Sequence, residues 1–513
     1  MLNEELYKLG IDWVMNYYPY NNPVPKHSTE FEKMLIKHIK SGSTIAIFPD
    51  SDIDGMFSAL EIKSLLELMG CKHIKILKIT KKSHGLNNKF IDQVMDLDAN
   101  LLITVDSTTN NSGAIDKLSL LGVDHIIVDH HEITADINSY ADNVIVINSR
   151  DNGNEEFSKV SAGMLCYILI HNLLYKIKID NIRRTTFLDK MYVLGYITLY
   201  TDCMDLKDRF NLSVINNIES RRNFTPKIVT QFMSEYDCLC RQFIEFKFAP
   251  RINSLIRAEM FDLVYDIMFN RHTDTERAEI LQAVEKNYED SREAVQTLAL
   301  DCKVEIHDLY VIGNLDGLQL GERFREILKN YTGLIANNLS TRYNKLAVVV
   351  STDKIESYKG SVRDPYSRRA LVTFNSICDC GGHMSAFGIH LLKKDFGNFK
   401  KQLRMMSSRL ATDGEKSQIV LDGSKFDDRL KYYVRSIAEF NEIGGNTMPK
   451  AIIRKKIGHS MKVRRDDKYS TVMWEGLKIV CFKSVYVGDI IDVTPTLAKS
   501  DVVCYGVPSV ASF

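Results

Sequence analysis

Short apolar runs alternate with stretches in which apolar residues recur every three or four positions, from Ser43 to about residue 215. The runs Thr44–Phe48, Ile74–Ile79, Leu101–Val105, His125–Val128 and Val144–Ile147 predict strands. Helices are predicted between and after them: one through Met56, Leu60, Leu65, Leu66 and Met69, then Lys89–Leu97, Gly113–Leu121 and Met164–Leu174. Strands alternating with helices in this way imply a parallel sheet covered on both faces. Ahead of it, residues 1–40 read as helical segments carrying Trp13, Tyr17, Tyr18 and Tyr20, with a proline-containing break at Asn21–Pro25. Those aromatics suit core packing better than binding.

Beyond the alternation, residues 216–300 keep helical periodicity, and Glu276–Thr297 holds neither glycine nor proline. From about 305 the pattern returns to a strand at Leu309–Ile312, a helix at Gly333–Ser340 and a strand at Leu346–Ser351. Two glycine-bearing segments follow, Gly360–Arg363 and Gly381–Gly388, both expected to be loops. Over Lys450–Val502 apolar and polar residues alternate singly, the period of an all-β module. The fold class expected is therefore α/β: a parallel-sheet domain over 1–215, a helical connector over 216–304, a second α/β domain over 305–415 and a β-rich module over 416–513.

Chemistry is concentrated where the first strands end. The first runs into Pro49-Asp-Ser-Asp-Ile-Asp-Gly55, the third into Asp106, and the fourth into Asp129, His130 and His131. On its own, Asp-His-His can equally be a surface turn carrying two histidines; the other strands ending in aspartate weigh against that. Ligands of open parallel sheets bind beyond the carboxyl ends of the strands, so Asp50, Asp52, Asp54, Asp106, Asp129, His130 and His131 converge on one edge. So many carboxylates cannot all stay ionised without compensating charge. Divalent cations supply it, and oxygen donors with imidazole suit Mn2+ or Mg2+ better than a thiolate-bound Zn2+.

The order Asp-x-Asp-x-Asp-Gly at 50–55, Thr-Val-Asp at 104–106 and Val-Asp-His-His at 128–131 resembles the DHH phosphoesterase superfamily, and its RecJ-type single-strand exonucleases in particular. Arg251-Ile-Asn-Ser-Leu-Ile-Arg257 is similar to the RecJ stretch Arg-Leu-Asn-Ala-Ala-Gly-Arg. Gly360-Ser-Val-Arg363 and Gly381-Gly-His-Met-Ser-Ala-Phe-Gly388 resemble the phosphate-binding signatures of the DHH-associated domain. The resemblance runs from about residue 40 to 395 and implies a metal-dependent exonuclease that hydrolyses single-stranded DNA from its 5′ end to mononucleotides, in repair, recombination or replication.

Site residues follow from the same resemblance. Two metal ions, Mn2+ or Mg2+, are implied on Asp52, Asp54, Asp106, His130 and Asp202, with Asp50 either a ligand or a group behind the ligands. Asp205 competes with Asp202 for its role. Asp129 is expected to orient the cluster and His131 to touch the scissile phosphate, while Arg257, Ser361, Arg363 and His383 hold phosphate oxygens across a cleft. Ser83-His-Gly-Leu86 stands where relatives carry Gly-Tyr-Gly-Leu, and His84 is by default a loop residue. Other departures are Ser107-Thr-Thr after Asp106, Ile256 in place of a glycine and Phe387 in place of an alanine. They bear on substrate fit more than on metal binding.

Composition narrows the rest. In 513 residues, 66 Lys and Arg balance 66 Asp and Glu, so a polyanion site has to be local. Such a locality is the C-terminal module, where Arg454, Lys455, Arg464 and Arg465 with Trp474 or Tyr469 suit an OB-like, single-strand-binding surface. The alternative is basic surface hairpins with no such role. The 10 cysteines form no pair of Cys-x-x-Cys motifs and read as free thiols. Without a leader or a run of about 20 apolar residues, a cytoplasmic location is expected. The resemblance implies single-stranded DNA as partner, with a single-strand-binding protein or helicase beside it, and no membrane. Two other readings stand: a DHH phosphodiesterase acting on short oligonucleotides or nucleotide phosphates, and a non-catalytic DHH replication scaffold. Retention of every recognisable ligand weighs against the scaffold.

Overall fold

The structure, a computed structural model, describes residues 21–513 except 83–84, 207, 236, 271, 319–321, 365–369, 384–385, 412–418, 427–429, 445–450, 467–468, 499–500 and 509–513. Trp13, Tyr17, Tyr18, Tyr20 and His84 lie outside the described residues.

After helix α1 (Ser28–Ser41), strand β1 (Ile45–Pro49) opens the first sheet, followed by α2 (Ile53–Leu68), β2 (Ile74–Ile76), α3 (Asn88–Asp96), β3 (Leu101–Val105), α4 (Ser112–Leu120), β4 (Asp124–Asp129) and β5 (Val144–Asn148). The sheet is five-stranded in the order β2-β1-β3-β4-β5, and every pair is parallel. β1 and β3 are buried along their whole length, which is why they read as unbroken apolar runs rather than as alternation. The run expected to reach Ile79 leaves the sheet after Ile76. There the Tyr265 hydroxyl takes over the edge, accepting from Ile79 N–H at 3.1 Å and donating to the Leu77 carbonyl at 2.6 Å.

Helices α5 (Ala162–Lys176) and α6 (Asn181–Thr201) pack on α2, buried nearly all round at their facing ends. The helical stretch continues with α7 (Arg209–Asn216), α8 (Ala249–Arg257), α9 (Phe261–Phe269) and the 28-residue α10 (Asp274–Asp301). Thr273 and Glu276 close the N-terminus of α10 reciprocally, each bonding the other's backbone N–H.

The second sheet holds β6 (Lys303–Ile306), β7 (Tyr310–Asn314), β8 (Leu346–Lys354), β9 (Ser357–Arg363), β10 (Asp379–His383) and β11 (Ala386–Leu392), in the order β10-β11-β9-β8-β7-β6. Helix α11 (Thr332–Tyr343) packs on it, and α12 (Phe396–Ala411) follows β11. Here one expectation fails. Gly360–Arg363 is strand, and of Gly381–Gly388 the described residues, Gly381–His383 and Ala386–Gly388, lie on the paired strands β10 and β11 rather than in a loop. Glycine serves strand packing at Gly360: a Cβ there would lie 2.5 Å from the Val349 carbonyl oxygen.

The last sheet is seven-stranded, in the order β12-β13-β17-β18-β16-β15-β14. Its strands are β12 (Ile419–Asp422), β13 (Ala451–Lys456), β14 (Lys462–Arg465), β15 (Ser470–Trp474), β16 (Leu477–Cys481), β17 (Ile490–Ala498) and β18 (Asp501–Pro508). Between β12 and β13 runs α13 (Leu430–Gly444), whose Leu430, Tyr433, Val434, Ile437 and Phe440 share the core of this sheet. The single alternation read from the sequence is this packing: Val472, Trp474, Ile479, Cys481, Ile491, Val493 and Cys504 face the core.

The chain divides into two compact units. One holds the parallel sheet, Phe261–Arg271 and the C-terminal sheet; the other is Ser254–Met260 with His272–Gln418. No helix among the described residues is long and apolar enough to cross a membrane.

Candidate metal centre and anion site

The parallel register builds the metal centre. Pro49 pairs with Val105, and Val105 with Val128, so Asp50, Asp106 and Asp129 leave or end neighbouring strands side by side. Asp52 caps α2 by accepting the Gly55 N–H at 3.1 Å. A Cβ on Gly55 would sit 2.5 Å from the Asp50 nitrogen, so only glycine lets the chain fold back this tightly. Asp54, one turn into the helix, is held by the N-terminus of α5: the Gly163 N–H reaches its Oδ1 at 2.8 Å and the Ala162 N–H its Oδ2 at 2.9 Å. Ser161 caps that helix and its hydroxyl lies 2.7 Å from Thr198 Oγ1. Asp202 is delivered at the C-terminus of α6, a position where a carboxylate opposes the helix dipole and therefore needs another reason to be there.

These side chains converge around His130. Its Nε2 lies 3.1 Å from Asp106 Oδ1, 3.3 Å from Asp202 Oδ2 and 3.8 Å from Asp54 Oδ2. Three triads have ligand atoms within 4.8 Å of one another: Asp106, His130 and His131; Asp54, His130 and Asp202; and Asp50, Asp52 and Asp106. Asp205 is not among them and instead pairs with Lys159 at 2.9 Å. Asp129 turns inward. Its Oδ1 accepts from the His130 N–H at 2.8 Å, the His131 N–H at 3.2 Å and His131 Nδ1 at 2.8 Å, while Oδ2 takes the Thr109 N–H at 3.1 Å.

Electrostatics follow from burial. Desolvation and the nearby Asp52 raise Asp54 to about 7. Asp106 and Asp202 are also pushed well above the usual carboxylate range, first by burial and then by their acidic neighbours. Burial lowers His130 to about 3, which leaves its imidazole neutral. His131 goes the other way: burial would lower it, but the hydrogen bond and charge of Asp129 lift it to about 9. Asp106 Oδ1, His130 Nε2 and Asp202 Oδ2 are buried without a hydrogen-bond partner among the described residues, and native proteins rarely leave such atoms so. Hard oxygen donors, a neutral imidazole and orphaned lone pairs pointing at one another fit a divalent cation.

Asn148, Tyr140 and Arg150 went unnoticed in the sequence, and Thr109 was read only as part of the Ser107-Thr-Thr departure, yet they fix the geometry. Asn148 Nδ2 donates to Thr109 Oγ1 at 3.1 Å and to the His131 carbonyl at 3.0 Å. The Tyr140 hydroxyl donates to the Thr109 carbonyl at 2.8 Å. A signal existed in Asn148, which directly follows an apolar run on the same sheet edge. These bonds hold a strained turn: Asp106 has φ 62° and Thr108 φ 87°, a left-handed backbone that is unusual for any β-branched residue. Thr108→Gly should stabilise the metal-free protein by about 1 kcal/mol, because strain of about 1–3 kcal/mol outweighs a glycine entropy cost of about 0.5–1 kcal/mol. A lower melting temperature for that variant would mean the turn is not strained.

In the second unit, a candidate anion site lies around the start of α11. Arg257, at the end of α8, is pulled down to about 10 by burial, with Arg363 adding to the shift and Tyr331 opposing it. Ser361 Oγ lies 2.9 Å from Thr332 Oγ1. Gly333 leaves room for Arg363, since a Cβ there would be 2.7 Å from its Nη2. Two neighbouring guanidinium groups, two hydroxyls and a helix N-terminus make a surface for phosphate oxygens. Tyr331, Thr332 and Gly333 were not legible as part of it. His383 lies on β10, and its side chain is outside the described residues. Ile256 and Phe387, where the sequence departs from the family pattern, are both buried, Phe387 against Phe374 at 5.1 Å. Core packing absorbs them.

On the C-terminal sheet, Trp474 cannot offer a stacking face. It is 3% exposed in the core, with the Lys455 ammonium 4.6 Å from its ring centroid. Arg454 is taken by Asp492 through contacts of 2.7 and 2.9 Å. Arg464 and Arg465 are exposed. So are Lys462, Met473 and Lys478, which pair across β14, β15 and β16, and Phe482 stacks on Tyr505 with ring centroids 5.9 Å apart. The strand alternation that signalled this sheet also put Trp474 on its inner side.

Residues 44–193 match the model of the DHH family, N-terminal domain. Over 389 residues the chain is 23% identical to the single-stranded-DNA-specific exonuclease RecJ of Bacillus subtilis, covering 73% of this chain and 47% of that protein. The chain thus spans about half the length of that relative. Among solved structures, RecJ from Thermus thermophilus in complex with Mn2+ superposes with a TM-score of 0.71 at 14% identity, over 96% of this chain and 72% of the other. The same protein with Mg2+ gives 0.65 at 13% identity, over 96% and 70%. At these identities the likeness is one of fold.

Proposed function

We propose, for a chain that carries a DHH domain over residues 44–193 on a RecJ-like fold, that it hydrolyses single-stranded DNA from the 5′ end to mononucleotides with two Mn2+ or Mg2+ ions. One observation carries the reading above the others: the orphaned lone pairs of Asp106, His130 and Asp202 face one another in a buried acidic cluster.

Asp52, Asp54, Asp106, His130 and Asp202 would hold the ions, with Asp50 completing the side near Asp52 and Asp106. Bound there, divalent cations polarise a phosphodiester and bring water to a nucleophilic state near neutral pH. The chain's own groups supply the rest. The Asp129 carboxylate fixes the His130–His131 turn by accepting from both backbone N–H groups and keeps His131 protonated, so that this exposed imidazole can donate to a phosphate oxygen. The α5 amides restrain Asp54 in one orientation. Arg257, Ser361 and Arg363 offer further donors to the phosphates of a strand, and His383 is assigned with them. The protein is tested with Mn2+ and 5′-labelled single strands followed over time. Release of the label as mononucleotide from the first cut is expected; a ladder of shortening strands that keep the 5′ label, or no cleavage at all, is incompatible with the reading.

The C-terminal sheet is proposed to add affinity for long strands through Lys462, Arg464, Lys478 and the Phe482–Tyr505 pair. Charge reversal of Lys462 and Arg464 together should weaken binding of long strands and flatten its salt dependence, each lost phosphate contact reducing the slope by about 0.7. Trp474→Ala should instead cost about 3–5 kcal/mol of stability, as for other buried aromatics. Equal binding and salt slope in the charge-reversed protein would remove this surface from the strand's path.

A further inference from the structure

One cation is built into the rim of the acidic cluster. Arg150 follows β5 at the same sheet edge as the metal centre, and Asn148 Oδ1 fixes its backbone by accepting its N–H at 2.8 Å. Asn148 is also the residue that ties Thr109 to the His131 carbonyl. The Arg150 side chain is anchored twice: Nε donates to the His130 carbonyl at 2.8 Å and Nη1 to Glu132 Oε1 at 2.8 Å. Even so it is 40% exposed, and its Nη2 makes no hydrogen bond among the described residues.

A staple for the His130 turn would need only the Nε bond. What the anchoring does in addition is hold a planar guanidinium, still partly exposed, against the backbone of His130 in the acidic cluster. That cluster repels a polyanion, and an arginine cannot lose its charge to the local field as a histidine or lysine can. Its N–H fork matches phosphate oxygens, and pre-anchoring reduces the side-chain entropy lost on binding.

We propose that Arg150 is a substrate-binding residue whose free guanidinium edge takes an oxygen of a phosphodiester next to the one being cut. This deepens the proposed function and rests on it for the identity of the strand.

The experiment separates the two. Binding of fluorescent single-stranded DNA to the full chain is measured with Ca2+ in place of Mn2+, for the wild type, Arg150→Lys and Arg150→Met. The scan is repeated with strands carrying one neutral methylphosphonate at successive linkages. Arg150→Met should weaken binding about ten- to hundredfold, the scale of a lost charge-assisted hydrogen bond, with Arg150→Lys in between and the Mn2+ affinity of all three alike. In the wild type one linkage should show a matching penalty when neutral, and that penalty should vanish in Arg150→Met. A wild type that binds strands with this signature but does not cut them in Mn2+ overturns the exonuclease reading and leaves Arg150 supported. If Arg150→Met loses Mn2+ affinity in parallel, Arg150 is only a support for His130. Persistence of the neutral-linkage penalty in that variant, or a wild type that binds no strand, also rejects the proposal.

Discussion

Asp106→Asn is expected to eliminate hydrolysis and, at neutral pH, to make the metal-free protein more stable. The carboxylate is buried, has an oxygen without a hydrogen-bond partner among the described residues and is surrounded by Asp54, Asp52 and Asp202. Burial and these neighbours raise its folded-state value well above the ordinary 3.8, as they raise Asp54 to about 7. A carboxyl whose folded value is raised binds its proton more tightly in the native state. Its stabilising contribution is therefore complete below the unfolded value and is lost as pH rises through the folded one. For Asp54 that window runs from about 4 to about 7. Metal-free wild type should thus lose on the order of a few kcal/mol between mildly acid and neutral pH. Mn2+ should restore it, because the ion binds only the folded centre. The asparagine variant should show a shallower pH dependence, a smaller response to Mn2+ and no turnover, and His130→Ala should likewise be inactive. Thermal unfolding with and without Mn2+ across this range is the measurement. An active Asp106→Asn protein, or one whose melting temperature responds to Mn2+ as the wild type does, would dispose of the metal centre described here.

Arg257→Met is expected to slow the reaction about ten- to hundredfold, the loss of roughly 1.5–3 kcal/mol for a charged hydrogen bond to phosphate, with Mn2+ affinity intact. It should raise the melting temperature at the same time. Arg257 is half-buried near Arg363, and desolvation with that second charge brings its value down to about 10. A methionine of similar length fills the space without the buried charge. Arg363→Met should slow the reaction by a similar factor. Arg257→Met combining higher stability with lower activity marks a residue kept for its ligand; falling stability with unchanged kcat/KM would mark a structural one.

The same logic separates what each level of description can reach. Apolar runs ending in aspartate were enough to find β1, β3 and β4, and their common parallel direction put Asp50, Asp106 and Asp129 on one edge before any coordinates. Leu101–Val105 is a strand with the bounds its sequence predicts, because a buried parallel strand carries its whole signal locally. The helix α13 and the strand identity of Gly381–Gly388 were missed for the opposite reason. Glycine pairs look like loops until a neighbouring strand pairs with them, and the strand that holds β11 in the sheet, β9, is more than twenty residues away in sequence.

Residue types and their order along the chain therefore determined the α/β layout, the donor chemistry of the metal centre and the cationic character of the second site. Both follow from which side chains exist and where local periodicity breaks. Tertiary structure alone decided which donors meet. It brought Asp202 rather than Asp205 to His130, since one helix end points a single carboxylate inward. It turned Trp474 into core while leaving Phe482 outside, since a strand exposes alternate residues and only the partner layer chooses which. It also made Arg150 a fixed cation at the rim, through a carbonyl and a carboxylate from a neighbouring strand end that no local pattern could have announced.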